Sequence, residues 1–224
     1  MEELTLLGER AVQAKFELQR MTTEKKNEVL EAVADALIRN TEYLLLENHK
    51  DLDRGIANQM NSGLLDRLRL TKERIAGMAE GIRQIVNLPD PVGEILDDYE
   101  AENGLHIVKK RVPMGVIGII YESRPNVTAD AFGLCFKSGS AVILKGGSDA
   151  IQSNMAITKV IQEAVTGSGA DPYVIQLIES TDRSVVNEFM KMKQYVDLLI
   201  PRGGAGLIRN VVENSLIPVI ETGT

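Results

Sequence analysis

The chain has 224 residues, 44% of them hydrophobic and 25% charged, and a net charge of -7. That suits one large or two small soluble domains and excludes a strongly basic nucleic-acid binder. One cysteine excludes an internal disulfide framework. The acidic start Met1-Glu-Glu-Leu reads as no signal peptide, and no apolar run approaches the ~20 residues of a membrane span, so a cytoplasmic protein is expected.

Apolar spacing predicts helices over the first ~90 residues. Leu4, Leu7, Ala11, Ala14 and Leu18 mark the first face. Thr23 is the expected cap of a second helix, with Val29, Val33, Leu37 and Ile38 as its stripe. Leu44 to Ile56 carries a third. Thr71 caps a fourth that ends near Leu88, before Pro89-Asp-Pro91. Their charged outer faces imply that they coat a sheet formed later in the chain.

Residues 97–112 change character. Two polar strands flank Asn103-Gly104, a two-residue hairpin signal in which both positions tolerate positive φ. The ribbon is too polar for a core. It reads either as an exposed hairpin or as an arm that joins another sheet or subunit, since an uncovered ribbon is a pairing liability.

From Gly115 onward strands and helices alternate. The predicted strands are Gly115–Ile120, Ala141–Lys145, Val174–Ile178, Val196–Ile200 and Pro218–Glu221. The predicted helices are Val127–Ser138, Asp149–Val165, Ser184–Met190 and Ala205–Val212. This order makes an α/β fold with a parallel, doubly wound sheet, whose ligands sit at the carboxyl ends of the strands.

Two strand-to-helix turns carry candidate chemistry. In Lys145-Gly-Gly-Ser-Asp149, two glycines let a ligand approach the backbone, the helix N-terminus attracts an anion, and Lys145 suits phosphate or ribose hydroxyls. An ordinary capped turn after a solvated lysine is an equal reading. Arg202-Gly-Gly-Ala-Gly206 is a second such turn, weak alone because its spacing is not the GxGxxG fingerprint. Together the two turns suggest a two-sided dinucleotide cleft. Cys135 has no cationic neighbour in sequence and reads as a buried structural residue. His49 and His106 complete no zinc set and no Ser-His-Asp arrangement.

The segment Val112-Pro-Met-Gly-Val-Ile-Gly-Ile-Ile-Tyr-Glu-Ser-Arg-Pro-Asn-Val-Thr128 resembles the gamma-glutamyl phosphate reductase (glutamate-5-semialdehyde dehydrogenase) family of the aldehyde dehydrogenase superfamily. Leu144-Lys-Gly-Gly-Ser-Asp149, Ile200-Pro-Arg-Gly-Gly204 and Ile217-Pro-Val-Ile-Glu-Thr-Gly223 extend the likeness over the whole chain. The resemblance implies NADPH-dependent reduction of L-glutamyl 5-phosphate in proline biosynthesis, through a cysteine thiolate and a thioester. That cysteine falls beyond the position matching Thr224, so residues 1–224 read as an NADPH-binding domain without the catalytic domain.

By resemblance, Lys145 holds the adenosine ribose. Ser148 stands where NAD-preferring relatives carry a glutamate, which leaves room for a 2′-phosphate. Gly203 and Gly204 match the turn beside the pyrophosphate, and Leu207 the apolar wall near adenine. Glu221 matches the superfamily's general base, although the motif here reads Glu-Thr-Gly-Thr and an aldehyde-forming reductase need not activate water. Asn126 is the candidate oxyanion asparagine. Arg124 either contacts the substrate's phosphate or carboxylate or caps its loop. The resemblance further implies an oligomerisation hairpin, a homo-oligomer and glutamate 5-kinase as a partner, with no nucleic acid, membrane or metal. A non-catalytic nucleotide-binding or assembly module of the same fold is the alternative.

Overall fold

A computed structural model describes residues 2–122 and 124–221. The chain begins with helices α1 (Glu2–Leu18), α2 (Thr23–Arg39), α3 (Thr41–Ala57), α4 (Ser62–Leu68) and α5 (Lys72–Asn87). The hairpin β1 (Ile95–Glu100) and β2 (His106–Lys110) follows. The α/β region comprises β3 (Val116–Tyr121), α6 (Asn126–Lys137), β4 (Ala141–Lys145), α7 (Ile151–Gly167), β5 (Ile175–Leu177), α8 (Arg183–Phe189), β6 (Leu198–Arg202) and α9 (Ala205–Asn214).

The sheet is parallel, in the order β5-β4-β3-β6. The chain winds outward from β3 through β4 to β5, then returns through α8 to place β6 on the other side of β3. This is the expected doubly wound topology, and its switch point lies between β3 and β6. Both faces are covered, which is why β3 and β4 are buried throughout and read as continuous apolar runs. Ile117, Ile119, Val142 and Leu144 share one core with α6 and α7. Val116, Ile120 and Ile143 share the other with Leu4 and Ala11 of α1 and Phe189 of α8.

Several boundaries move. The strand expected at Val196–Ile200 is Leu198–Arg202, so Arg202 belongs to the strand and the turn proper is Gly203-Gly204. Among the described residues, the strand expected at Pro218–Glu221 is a single parallel bridge from Val219 to Leu199. A 3-10 turn, Ser148–Ala150, precedes α7. The cap of α2 is Thr22, whose side chain accepts from Lys25 N–H, rather than Thr23; Thr71 caps α5 as expected. Helix α4 escapes periodicity because it has seven residues, and Asn61 caps it.

The N-terminal helices do not all coat the sheet. Helix α1 lies on β3, β4 and β5, whereas α2, α3 and α5 pack on α6 and α7 as an outer layer. A buried ion pair pins that layer: Lys26 Nζ lies 2.6 Å from Asp90 Oδ2 at the Pro89-Asp-Pro91 corner. Burial pulls the Asp90 carboxyl upward, but hydrogen bonds from Lys26, Val92 N–H and Thr23 outweigh it and hold the group below its ordinary value.

The hairpin is antiparallel and exposed along both strands. Its turn is a correction. Gly104 N–H donates to Ala101 C=O and Ala101 N–H to Leu105 C=O, each at 2.8 Å, with φ +81° at Gly104 alone. That is a three-residue loop ending in a left-handed glycine, which needs no positive φ at Asn103.

Candidate functional site

The parallel register aligns three strand ends. Ile120 of β3 sits opposite Lys145 of β4 on one side and Pro201 of β6 on the other, and Tyr121 sits opposite Arg202. The two glycine turns therefore open at the same carboxyl edge, on either side of β3.

At the β4 turn, Lys145 is 5% exposed and its Nζ donates to its own loop, at Gly146 C=O, 3.0 Å. Burial lowers its pKa. Ser148 is exposed, and its C=O accepts from Arg54 Nη2 at 3.0 Å. The helix N-terminus expected to attract a ligand is already occupied. Asp51, fully buried on α3, accepts from Ser153 N–H at 2.8 Å, Ser153 Oγ at 2.6 Å and Gln152 N–H at 3.2 Å. Arg54 pairs with the same carboxylate. The chain's own charge caps α7, so this helix end is not an open anion site.

At the β6 turn, Gly204 N–H donates to Glu122 Oε2 at 2.9 Å. A Cβ on Gly203 would lie 2.7 Å from Glu122 Cδ and 2.8 Å from Leu207 Cδ2, so glycine is what lets the carboxylate reach the turn. Glu122 is exposed and makes one such bond, whereas Asp51 is enclosed. Arg67, Glu122, Arg124, Arg202, Gly203 and Gly204 line a cavity of about 370 Å³ here. An adjoining cavity of about 400 Å³ is lined by Asp66, Arg67, Arg69, Arg74, Arg124, Asn126 and Asp130.

The structure thus brings Arg124, Gly203 and Gly204 together at the switch point, with Leu207 beside them. Lys145 and Ser148 stand one strand away. Asn126 lies in the adjoining cavity, in the first turn of α6, with its Nδ2 donating to Asp130 Oδ2 at 3.0 Å. Burial raises the Asp130 pKa, against the Asn126 hydrogen bond and the charge of Arg202. Glu221 is exposed beyond the Val219 bridge on the outer side of β6, and among the described residues it lines neither cavity. Ser123 and Thr222 to Thr224, which the family motifs include, lie outside the described residues.

Cys135 is buried, and burial alone pushes its thiol up to about 12. His49 bonds to Leu45 C=O and His106 to Asp98. Among the described residues no group of acidic, histidine or cysteine side chains is arranged to hold a metal, and no helix is long and apolar enough to cross a membrane.

Sequence reasoning missed Arg67, Glu122 and Asp51. The run Arg67-Leu-Arg69 with Arg74 close behind was a signal for the first. The other two are tertiary contacts, spanning 82 and 102 positions.

Glycine turns beside arginines that have no salt bridge among the described residues, at the switch point of a doubly wound sheet, place this chain in the Rossmann-like class of α/β domains, where ligands bind at that crevice. The chain belongs to the aldehyde dehydrogenase family, whose model matches residues 2–218, and membership implies a nicotinamide cofactor. It is 53% identical over 223 residues to a gamma-glutamyl phosphate reductase of Clostridium botulinum and 56% identical over 224 residues to one of Lachnospira eligens. Each match takes in the whole of this chain, which spans only 54% of the length of either relative. The crystal structure of gamma-glutamyl phosphate reductase from Thermotoga maritima superposes with a TM-score of 0.97 at 40% identity, over 99% of this chain and 54% of that one. A probable aldehyde dehydrogenase of Listeria monocytogenes, 18% identical at a TM-score of 0.78 over 99% of this chain and 46% of that one, shares the fold.

Proposed function

We propose that the complete protein reduces L-glutamyl 5-phosphate to L-glutamate 5-semialdehyde with NADPH, and that residues 1–224 supply its cofactor-binding part. The observation that carries this reading is the carboxylate seated on the β6 turn. Glu122 stands at Gly204 N–H where a ligand phosphate would, so the turn fits an anion. When bound, NADPH supplies the hydride. Gly203 and Gly204 would lie along its pyrophosphate, Leu207 against adenine, and Lys145 and Ser148 beside the ribose and its 2′-phosphate.

Cys135 is not the nucleophile in this reading, because a buried thiol at about 12 holds almost no thiolate near neutrality. Asn126 is proposed to steady the developing oxyanion once its amide leaves Asp130, and Glu221 to face the reacting carbonyl. The exposed hairpin is proposed to join subunits in a homo-oligomer, and glutamate 5-kinase to supply the labile acyl phosphate in the cytoplasm.

The test uses the complete protein. Wild type should oxidise glutamate semialdehyde only with phosphate present, and should prefer NADP to NAD by roughly tenfold to hundredfold, the worth of one charge-assisted contact to the 2′-phosphate. Ser148→Glu should reverse that preference, and Lys145→Ala should weaken both cofactors, the phosphorylated one more. Equal use of the two cofactors by wild type, or a Ser148→Glu variant unchanged in preference, would sink the assignment of the lysine turn.

A further inference from the structure

We infer that Arg67 and Arg124 form a two-armed clamp for an oxyanion of the acyl substrate, at the shared wall of the two cavities beside the β3–β6 switch point. This rests on the reductase reading above. The chain carries a net charge of -7, yet Arg67, Arg69, Arg124 and Arg202 converge on these adjoining cavities. Arg67 and Arg124 line both of them.

The carboxylates nearby are engaged elsewhere. Arg74 Nη2 grips both oxygens of Asp66, at 3.0 and 3.1 Å. Asp130 accepts from Asn126, and Glu122 from Gly204 N–H. Three arginines elsewhere are paired, Arg54 with Asp51, Arg83 with Glu31 and Asp35, and Arg111 with Glu94, whereas Arg20, Arg39 and Arg209 are exposed singly and, among the described residues, share no cavity with another arginine. Among the described residues, no salt bridge or hydrogen bond holds the guanidinium of Arg67 or Arg124. Two arginines that line the same crevices without a carboxylate partner among the described residues are stabilised when an anion enters between them.

Both arms rise from anchored backbone. Buried Asn48 fixes the end of α4, donating to Leu68 C=O at 2.9 Å and accepting from Leu70 N–H at 2.8 Å. Arg124 C=O accepts from Val127 N–H at 3.1 Å at the start of α6. Planar guanidinium forks match the paired oxygens of a phosphate or carboxylate. An acyl phosphate of glutamate offers two such groups, its phosphoryl group and its α-carboxylate.

The experiment runs the complete protein in the oxidative direction, where inorganic phosphate and glutamate semialdehyde are separate reactants. Arg67→Ala and Arg124→Ala should each raise the KM for one of these by about tenfold to hundredfold, with the KM for NADP unchanged. A rise for phosphate assigns the clamp to the phosphoryl group, and a rise for the semialdehyde assigns it to the carboxylate. Arg67→Lys should fall between, keeping charge and losing the fork. Unchanged KM for both, or a rise confined to NADP, overturns the clamp. Unfolding temperatures should match wild type, because among the described residues no salt bridge or hydrogen bond ties either guanidinium to the fold; a lowered temperature in Arg67→Ala moves the decision to Arg67→Lys. If wild type shows no turnover, the reductase reading fails on its own. The clamp is then decided by calorimetric titration with inorganic phosphate: binding weakened by Arg67→Ala supports it, and equal or absent binding in wild type overturns it.

Discussion

Two turns that look alike in sequence, Lys145-Gly-Gly and Arg202-Gly-Gly, end up in opposite surroundings. Each follows a strand of one sheet, opens a helix, and has a carboxylate on that helix's N-terminus. At the lysine turn the cation is buried against its own loop and the carboxylate, Asp51, is enclosed by donors from α7 and by Arg54. At the arginine turn the cation is exposed and the carboxylate, Glu122, holds one backbone N–H. A basic-Gly-Gly turn therefore marks a place where backbone can meet an anion. Whether that anion is part of the fold or exchangeable depends on how many donors enclose it.

The contrast breaks most visibly at the enclosed end. Asp51→Ala strips the buried N-terminus of α7 of its acceptor, and charge-assisted hydrogen bonds of this kind are worth about 1.5–3 kcal/mol. A loss of about 3 kcal/mol in chemical denaturation at unchanged slope is expected; a loss below about 1 kcal/mol would mean that water replaces the carboxylate readily. The exchangeable end should respond oppositely. Glu122→Gln removes a competing charge, so stability should stay within about 0.5 kcal/mol while NADPH binds about threefold to tenfold more tightly. Cofactor affinity that falls in this variant would make Glu122 a ligand contact rather than a stand-in.

The smallest effect belongs to the turn itself. Gly204 has an ordinary φ of -67°, and a Cβ there would meet Glu122 Oε2 at 3.8 Å, so Gly204→Ala should be silent in stability, within about 0.5 kcal/mol. Gly203→Ala, by contrast, should expel Glu122 and mimic the Glu122→Gln gain unless the methyl also blocks the cofactor. Comparing the two alanine variants by thermal unfolding and cofactor titration separates those outcomes.

The sheet was legible because it is buried on both faces. Apolar runs such as Val116–Tyr121 and Ala141–Lys145 carry their own signal, and Gly and Pro punctuate them. The candidate site was half legible. Local motifs marked the turns and Arg124, while residues that act across the fold left no local trace. Asp51 sits in an otherwise ordinary amphipathic helix, and nothing in its neighbours says that it will cap a helix 102 residues later. Helix α4, which carries Arg67, is too short for a 3.6-residue period to show. The hairpin misreading had a different cause: Asn-Gly satisfies more than one turn type, and the closing pair at Glu100 and His106 selects the longer one.

Helix α1 carries a consequence for how the molecule assembles. It rests on strands that lie about a hundred residues or more further along the chain. Leu7 C=O is met by Gln176 Nε2 across 169 positions, and Lys15 reaches Asp197 across 182. Until those partners exist, Leu4 and Ala11 lack the Val116, Ile120 and Ile143 surface they share a core with, and loop closure over that span is entropically slow. Helix α1 is therefore expected to dock after β3 and β4 have paired, its apolar stripe staying open until then. Hydrogen exchange pulsed during refolding should show its amides protected after those of β3 and β4.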